Sequence, residues 1–139
     1  MEINFFSEDI RYTLRHKKKL RGWIIAIVKN EEMSLNCLNF IFCSDPYLLS
    51  INQQYLHHNY FTDVITFDYS EGSVISGDIF ISIDTVKSNA VEYEVPFTNE
   101  LHRVMVHGVL HLCGYKDNTD IGRIEMKGRE DFYLHRNEI

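Results

Sequence analysis

His107 and His111 stand four residues apart in the stretch HGVLHLCGYKD, followed by Gly114 and Asp117. On a helix, four residues advance roughly 400° around the axis, so both imidazoles project from one face and can reach one metal ion. Glycine tolerates the left-handed turn that ends helices. Gly114 therefore lets the chain reverse and bring the Asp117 carboxylate back toward the same ion. Two imidazoles and one carboxylate leave a fourth position open for water, which separates a catalytic zinc from a structural one. Two histidines at this spacing are by themselves mostly incidental. The glycine and the third ligand at a fixed offset lift the pattern above that background.

The arrangement HxxxHxxGxxD matches the spacing of the zincin signature HExxHxxGxxH, with aspartate as third ligand. In metalloproteases the residue after the first histidine is the general base. Here it is Gly108, which cannot move a proton. Glycine costs about 1 kcal/mol in a helix interior relative to alanine. The expected return is space beside the metal, for close packing or a bulky substrate. The pattern speaks for a metal site and against an ordinary peptidase.

Other residues carry weaker signals. Arg11, Arg15, Lys17, Lys18, Lys19 and Arg21 form a basic run in an acidic chain. It is either a solvated helix face or a contact for a phosphate backbone. His57 and His58 fall in a probable loop, as exposed residues or substrate contacts. Glu100 and Arg103 lie upstream of His107 on nearly the same helix face, as a surface pair or a support for the site. Asp63 reads as a turn or strand-entry residue. Cys113 points away from His111 and reads as core. Glu125, Glu130 and Asp131 read as the polar face of the last helix.

These residues need a scaffold. Ser7-Glu8-Asp9 looks like a helix start, continued through Ile10, Leu14 and Lys17 to Leu20 and closed by Gly22. WIIAIV (23–28) is either the helix's sequel or a buried strand. NCLNFIFCS (36–44) has strand length, and Pro46 suits the first turn of a following helix. DVITFDY (63–69) and GDIFISID (77–84) read as strands. Asp84 can cap a helix to about Glu92. Pro96 and Thr98 open another, from about 97 to 112, and a final amphipathic helix covers roughly 119 to 135. Strands and helices mix without strict alternation, so the expected class is α+β.

The bulk numbers agree with one domain over residues 1–139. The chain is 45% hydrophobic, enough for one sizeable core, and its net charge is −6. That balance argues against a protein that simply coats nucleic acid. Three cysteines, Cys37, Cys43 and Cys113, form no CxxC pair. A reducing, cytoplasmic setting is expected. No signal peptide or membrane span is expected, since the longest apolar run is Trp23 to Val28.

HGVLHLCGY resembles the HGxLHLxGYDH signature of the YbeY family, bacterial metal-dependent endoribonucleases of ribosomal RNA maturation and ribosome quality control. INQQYLHHNYFTDVITF (51–67) is similar to that family's LNxxYRxxDxxTDVLSF stretch, and GDIFIS (77–82) to its GDIxIS strand. The resemblance spans roughly residues 45 to 117. It implies a zincin-like α+β domain with a mixed sheet, and one Zn²⁺ on the helix carrying HxxxH. It further implies cleavage of single-stranded RNA, with an rRNA precursor and the ribosome or its small subunit as partners. The family's third histidine aligns with Asp117, and its arginine after the tyrosine with Leu56. A carboxylate ligand makes the metal a weaker Lewis acid, and leucine cannot meet a phosphate as arginine does. His57, His58 or Arg103 are the candidates to supply that charge. Two other readings stay open: a non-catalytic zinc-binding ribosome-assembly factor, and a zincin-like peptidase, which Gly108 opposes.

Overall fold

The computed structural model describes residues 1–58 and 62–137. The elements run β1 (Glu2–Ser7), α1 (Lys17–Asn30), β2 (Ser34–Cys43), α2 (Asp45–Leu56), β3 (Val64–Asp68), β4 (Val74–Ser82), α3 (Ile83–Glu92), α4 (Phe97–Leu112) and α5 (Asp120–Leu134). The strands form a mixed sheet in the order β1-β2-β4-β3. β1 and β4 each pair parallel to β2, and β3 pairs antiparallel to β4. This is the α+β class the sequence suggests.

Alternation along β2 and β4 sorts the two faces of the sheet. Leu38, Phe40, Ile79 and Ile81 are fully buried on one face, beneath α1 and α4. On the other face a smaller cluster of Cys43, Leu48 and Ile65 lies under α2. Beside it a polar row crosses the strands. Asn4 Nδ2 donates to Asn39 Oδ1 at 3.0 Å, and Asn39 Nδ2 donates to Asp78 Oδ1 at 2.9 Å.

The N-terminal region departs from the sequence reading. Residues 2–7 are an edge strand, and no helix starts at Ser7. One of the acids there does support a helix start, but not its own. Both carboxylate oxygens of Asp9 engage Ser44, at 3.0 Å from its N–H and closer still from its hydroxyl. Ser44 is the N-cap of α2. The first α-helix starts at Lys17, runs through Gly22 and includes WIIAIV. Burial of Leu20, Trp23, Ile24, Ile27 and Val28 on one side of it outweighs the helix cost of Gly22. In α3 the cap is Ser82, whose hydroxyl accepts from the Thr85 N–H at 3.2 Å, and Asp84 lies inside the first turn.

α4 sits unusually close to the sheet at two glycines. A Cβ on Gly108 would come within 2.9 Å of the Ile79 side chain, and one on Gly77 within 2.9 Å of Leu112. Gly108 thus faces β4, not the metal ligands. The space it gives is for close packing, and a larger residue there would lift the helix that carries both histidines.

Candidate metal centre

α4 ends in a hydrogen-bonded turn that sets up the site. The Gly114 N–H bonds the His111 carbonyl at 3.0 Å, and the Tyr115 N–H bonds the Leu110 carbonyl at 3.1 Å. Gly114 holds φ at 105°, a conformation that suits glycine. This is the Schellman arrangement, and it turns the chain back over the last turn of α4.

The turn brings Asp117 over the two histidines. Asp117 Oδ2 lies 3.4 Å from His107 Nε2 and 3.5 Å from His111 Nε2, and the two Nε2 atoms are 3.0 Å apart. Atoms bound tetrahedrally to zinc at the usual distances stand about 3.3 Å from one another. The triangle fits one face of such a tetrahedron, so the three residues can hold a metal ion together. Asp120, the nearby alternative, is exposed and pairs with Arg123 instead. Cys113 packs against the core, and burial with the charge of Glu31 pushes its thiol pKa up to about 12.

The remaining ring nitrogens fix the tautomers. His107 Nδ1 lies 2.7 Å from Glu130 Oε2, and His111 Nδ1 lies 3.0 Å from the Tyr115 carbonyl. Both partners are acceptors, so each Nδ1 carries the proton and each Nε2 lone pair faces Asp117. Histidine ligands are oriented in this way in metal sites generally. Glu130 is in turn held by Arg103, whose Nη1 donates to its Oε1 at 2.8 Å while Nη2 donates to Asp131 at 2.6 Å.

Glu130 was therefore misread as part of a polar face, for it is buried at the site. The periodicity of α5 shows a polar residue there and cannot show its partner. The partner of Arg103 is also not Glu100. Glu100 is buried, and burial together with the charge of Asp63 raises its pKa. Asp63 does serve strand entry, since its carbonyl accepts from the Ser82 N–H at 3.0 Å. Burial raises its own carboxyl pKa against the pull of His107. Burial likewise opposes charge on His107, but the hydrogen bond and charge of Glu130, with Asp117 and Asp63, prevail and raise its pKa.

A groove of about 930 Å³ opens beside the site between α4 and α5. His107 and Asp117 line it, with Tyr93, His102, Arg123 and Lys127 further along. The basic run is outside this groove. Arg11 and Arg15 are exposed ahead of α1, and Lys17, Lys18 and Lys19 are exposed in its first turn. Arg21 is half-buried, donating to the Ile3 carbonyl at 3.0 Å and lying over the Phe5 ring. His57 and His58 are exposed just after α2, next to Leu56. Of the resembling stretch 51–67, residues 59–61 lie outside the described residues.

The fold and the sequence have counterparts. A solution structure of TM1509 from Thermotoga maritima matches with a TM-score of 0.68 at 30% identity, over 96% of this chain and 87% of that one. The endoribonuclease YbeY of Cytophaga hutchinsonii is 52% identical over 133 residues, 95% of this chain and 93% of the relative. That of Flavobacterium psychrophilum is 49% identical over 126 residues, 91% and 90% of the two chains. That of Amoebophilus asiaticus is 46% identical over 138 residues, 99% and 94%. The family model described as endoribonuclease YbeY matches residues 2–138. With that match running through the sheet, the histidine helix and the bracing helix alike, the chain belongs to the YbeY family.

Proposed function

We infer that the chain is a zinc-dependent endoribonuclease that cuts single-stranded RNA in rRNA maturation and ribosome quality control. The whole of residues 1–139 acts as one domain, in the cytoplasm, with the ribosome or its small subunit as partner. The observation that carries this reading is the triangle of His107 Nε2, His111 Nε2 and Asp117 Oδ2, whose edges of 3.0, 3.4 and 3.5 Å suit one zinc ion. Membership of a family described as endoribonucleases supports the RNA substrate. Among the described residues no helix is long and apolar enough to cross a membrane.

A zinc ion held by His107, His111 and Asp117 would supply Lewis acidity for phosphodiester cleavage. The chain's residues do the rest. Glu130 and the Tyr115 carbonyl keep both histidine lone pairs turned toward the metal position. The groove between α4 and α5 receives the strand, with Arg123 and Lys127 on its wall and Tyr93 as a surface for a base. Arg103 is engaged with two carboxylates, so it acts on the site through Glu130 more than on RNA.

The basic run is the proposed grip on the phosphate backbone. α1 has His16 as its N-cap position, at φ 61° and with no side-chain cap hydrogen bond, and three lysines fill its first turn. Positive charge at a helix N-terminus opposes the dipole, and a bound anion relieves that. Arg11, Arg15 and Lys17 to Lys19, exposed at and before this helix start, would take that anion from the RNA backbone, with His57 and His58 as further contacts.

Leu56, in place of the family's arginine, favours a second reading: a zinc-binding ribosome-assembly factor without cleavage. Metal analysis paired with RNA cleavage by the wild type and His111→Ala decides. Zinc at one per chain and cleavage lost in the variant support the nuclease. Full zinc with no cleavage by the wild type, and retained binding to ribosomal subunits, supports the second reading.

A further inference from the structure

Tyr115 has three hydrogen-bonding groups, and each has a partner. Its N–H closes the turn on Leu110, its carbonyl accepts the His111 Nδ1 proton, and its hydroxyl donates to Glu31 Oε1 at 2.7 Å. Glu31 closes α1 and is far from any ligand in the chain. Its side chain is only 9% exposed. Arg129 donates to Glu31 Oε2 at 2.7 Å, and the Tyr133 hydroxyl bonds the same oxygen. A carboxylate held by three donors from two other segments is a fixed point, not a mobile surface acid.

The turn's backbone bond fixes the N–H of Tyr115, and the ring, tied to Glu31, fixes its Cβ, so the Cα from which the carbonyl extends is held from two sides. Without the ring's anchor the Cα would be free to shift, drawing the carbonyl off His111 Nδ1 and moving the chain that leads, two residues on, to Asp117. Two of the three ligands therefore depend on where the Tyr115 hydroxyl is held.

We propose that Glu31 is a positioning residue of the metal centre, acting through the Tyr115 hydroxyl to set the His111 tautomer and the place of Asp117. The proposal rests on the metal-site reading above. His107, braced separately by Glu130, provides an internal reference.

The test compares wild type, Tyr115→Phe, Glu31→Gln and Glu31→Ala. Imidazole ¹⁵N shifts are recorded at alkaline pH without metal, and Co²⁺ affinity is measured by titration. Tyr115→Phe and Glu31→Ala should move the His111 nitrogens toward a mixture of tautomers and leave those of His107 unchanged. Co²⁺ should bind about tenfold more weakly in both. Glu31→Gln keeps an oxygen acceptor and should restore the His111 pattern. Unchanged His111 shifts in Tyr115→Phe, or both histidines changing together, would overturn the relay and leave Glu31 a fold-stabilising residue only. If wild type binds no Co²⁺ or Zn²⁺, the metal reading fails, while the shifts still decide the relay.

Discussion

Glu130 Oε2 accepts the Nδ1 proton of His107 at 2.7 Å across the α4–α5 interface, although 23 residues separate the two in sequence. The carboxylate is buried and held from its other side by Arg103. Glu130→Gln keeps an oxygen that can accept from Nδ1, whereas Glu130→Ala leaves it without an acceptor. Zn²⁺ affinity, by competition with a chelating dye, should fall about 10- to 100-fold in Glu130→Ala and much less in Glu130→Gln. Equal losses in the two would mean that charge, not orientation, is what Glu130 contributes.

Ligand identity is tested by metal content. His107→Ala, His111→Ala and Asp117→Ala should each lose most bound zinc, because two ligands make a poor site. Cys113→Ala and Asp120→Ala should keep it. Asp117→His should retain zinc, since imidazole replaces carboxylate at a similar metal distance. Loss of metal in Asp120→Ala with retention in Asp117→Ala would move the third ligand to residue 120.

The contact of Gly108 with Ile79 predicts a stability effect. Gly108→Ala gains helix propensity but places a methyl within 2.9 Å of Ile79. Overpacking should prevail and destabilise the fold by about 1–3 kcal/mol. Denaturant titration should show part of that recovered when Ile79 is also shortened to valine. A more stable Gly108→Ala protein would show that the helix can rise without cost.

Acid should destabilise the protein through His102. Burial, with a smaller contribution from His16, lowers its pKa from 6.5 to about 4. Its Nδ1 accepts from the Asn137 amide at 2.9 Å, a bond that only the neutral ring can take. Above pH 6.5 both folded and unfolded chains carry it neutral, and its contribution is fully present. As pH falls from 6.5 toward 4, the unfolded chain takes up the proton first. Up to about 3 kcal/mol of stability is lost across that window. His102→Phe should flatten this part of the stability–pH curve, whatever it does to the plateau.

RNA contact at α1 is tested by charge reversal. Lys17→Glu, Lys18→Glu and Lys19→Glu combined should weaken RNA binding and flatten its dependence on salt, since fewer counterions are released. Zinc content should not change. The same affinity and the same salt slope would return the three lysines to a solvated helix end.

What sequence could show followed local rules. α4 and α5 lie within a residue or so of their expected bounds, because Pro96, Gly114 and Thr119 mark their ends chemically. The convergence of His107, His111 and Asp117 was legible for the same reason: helix periodicity and one glycine determine its geometry. The errors were all non-local. Asp9 looked like a first-turn acid of its own helix and instead holds Ser44, the N-cap of α2, 35 residues away. β1 was missed because its few apolar residues acquire meaning only beside β2, where Phe5 stacks on Phe40. Gly108 was read as giving space for close packing or for a bulky substrate; the close packing holds, but it is against Ile79 of the sheet, which a helical wheel does not locate.

α5 supplies none of the three ligand atoms, yet Glu130 braces one histidine, and Arg129 and Tyr133 fix the glutamate behind the other. A chain that has passed Asp117 but not reached Arg129 would thus carry all three of these side chains and neither brace. The trio is therefore held in place only once α5 has docked, and a chain cut before that helix would keep all three side chains while losing what aims them.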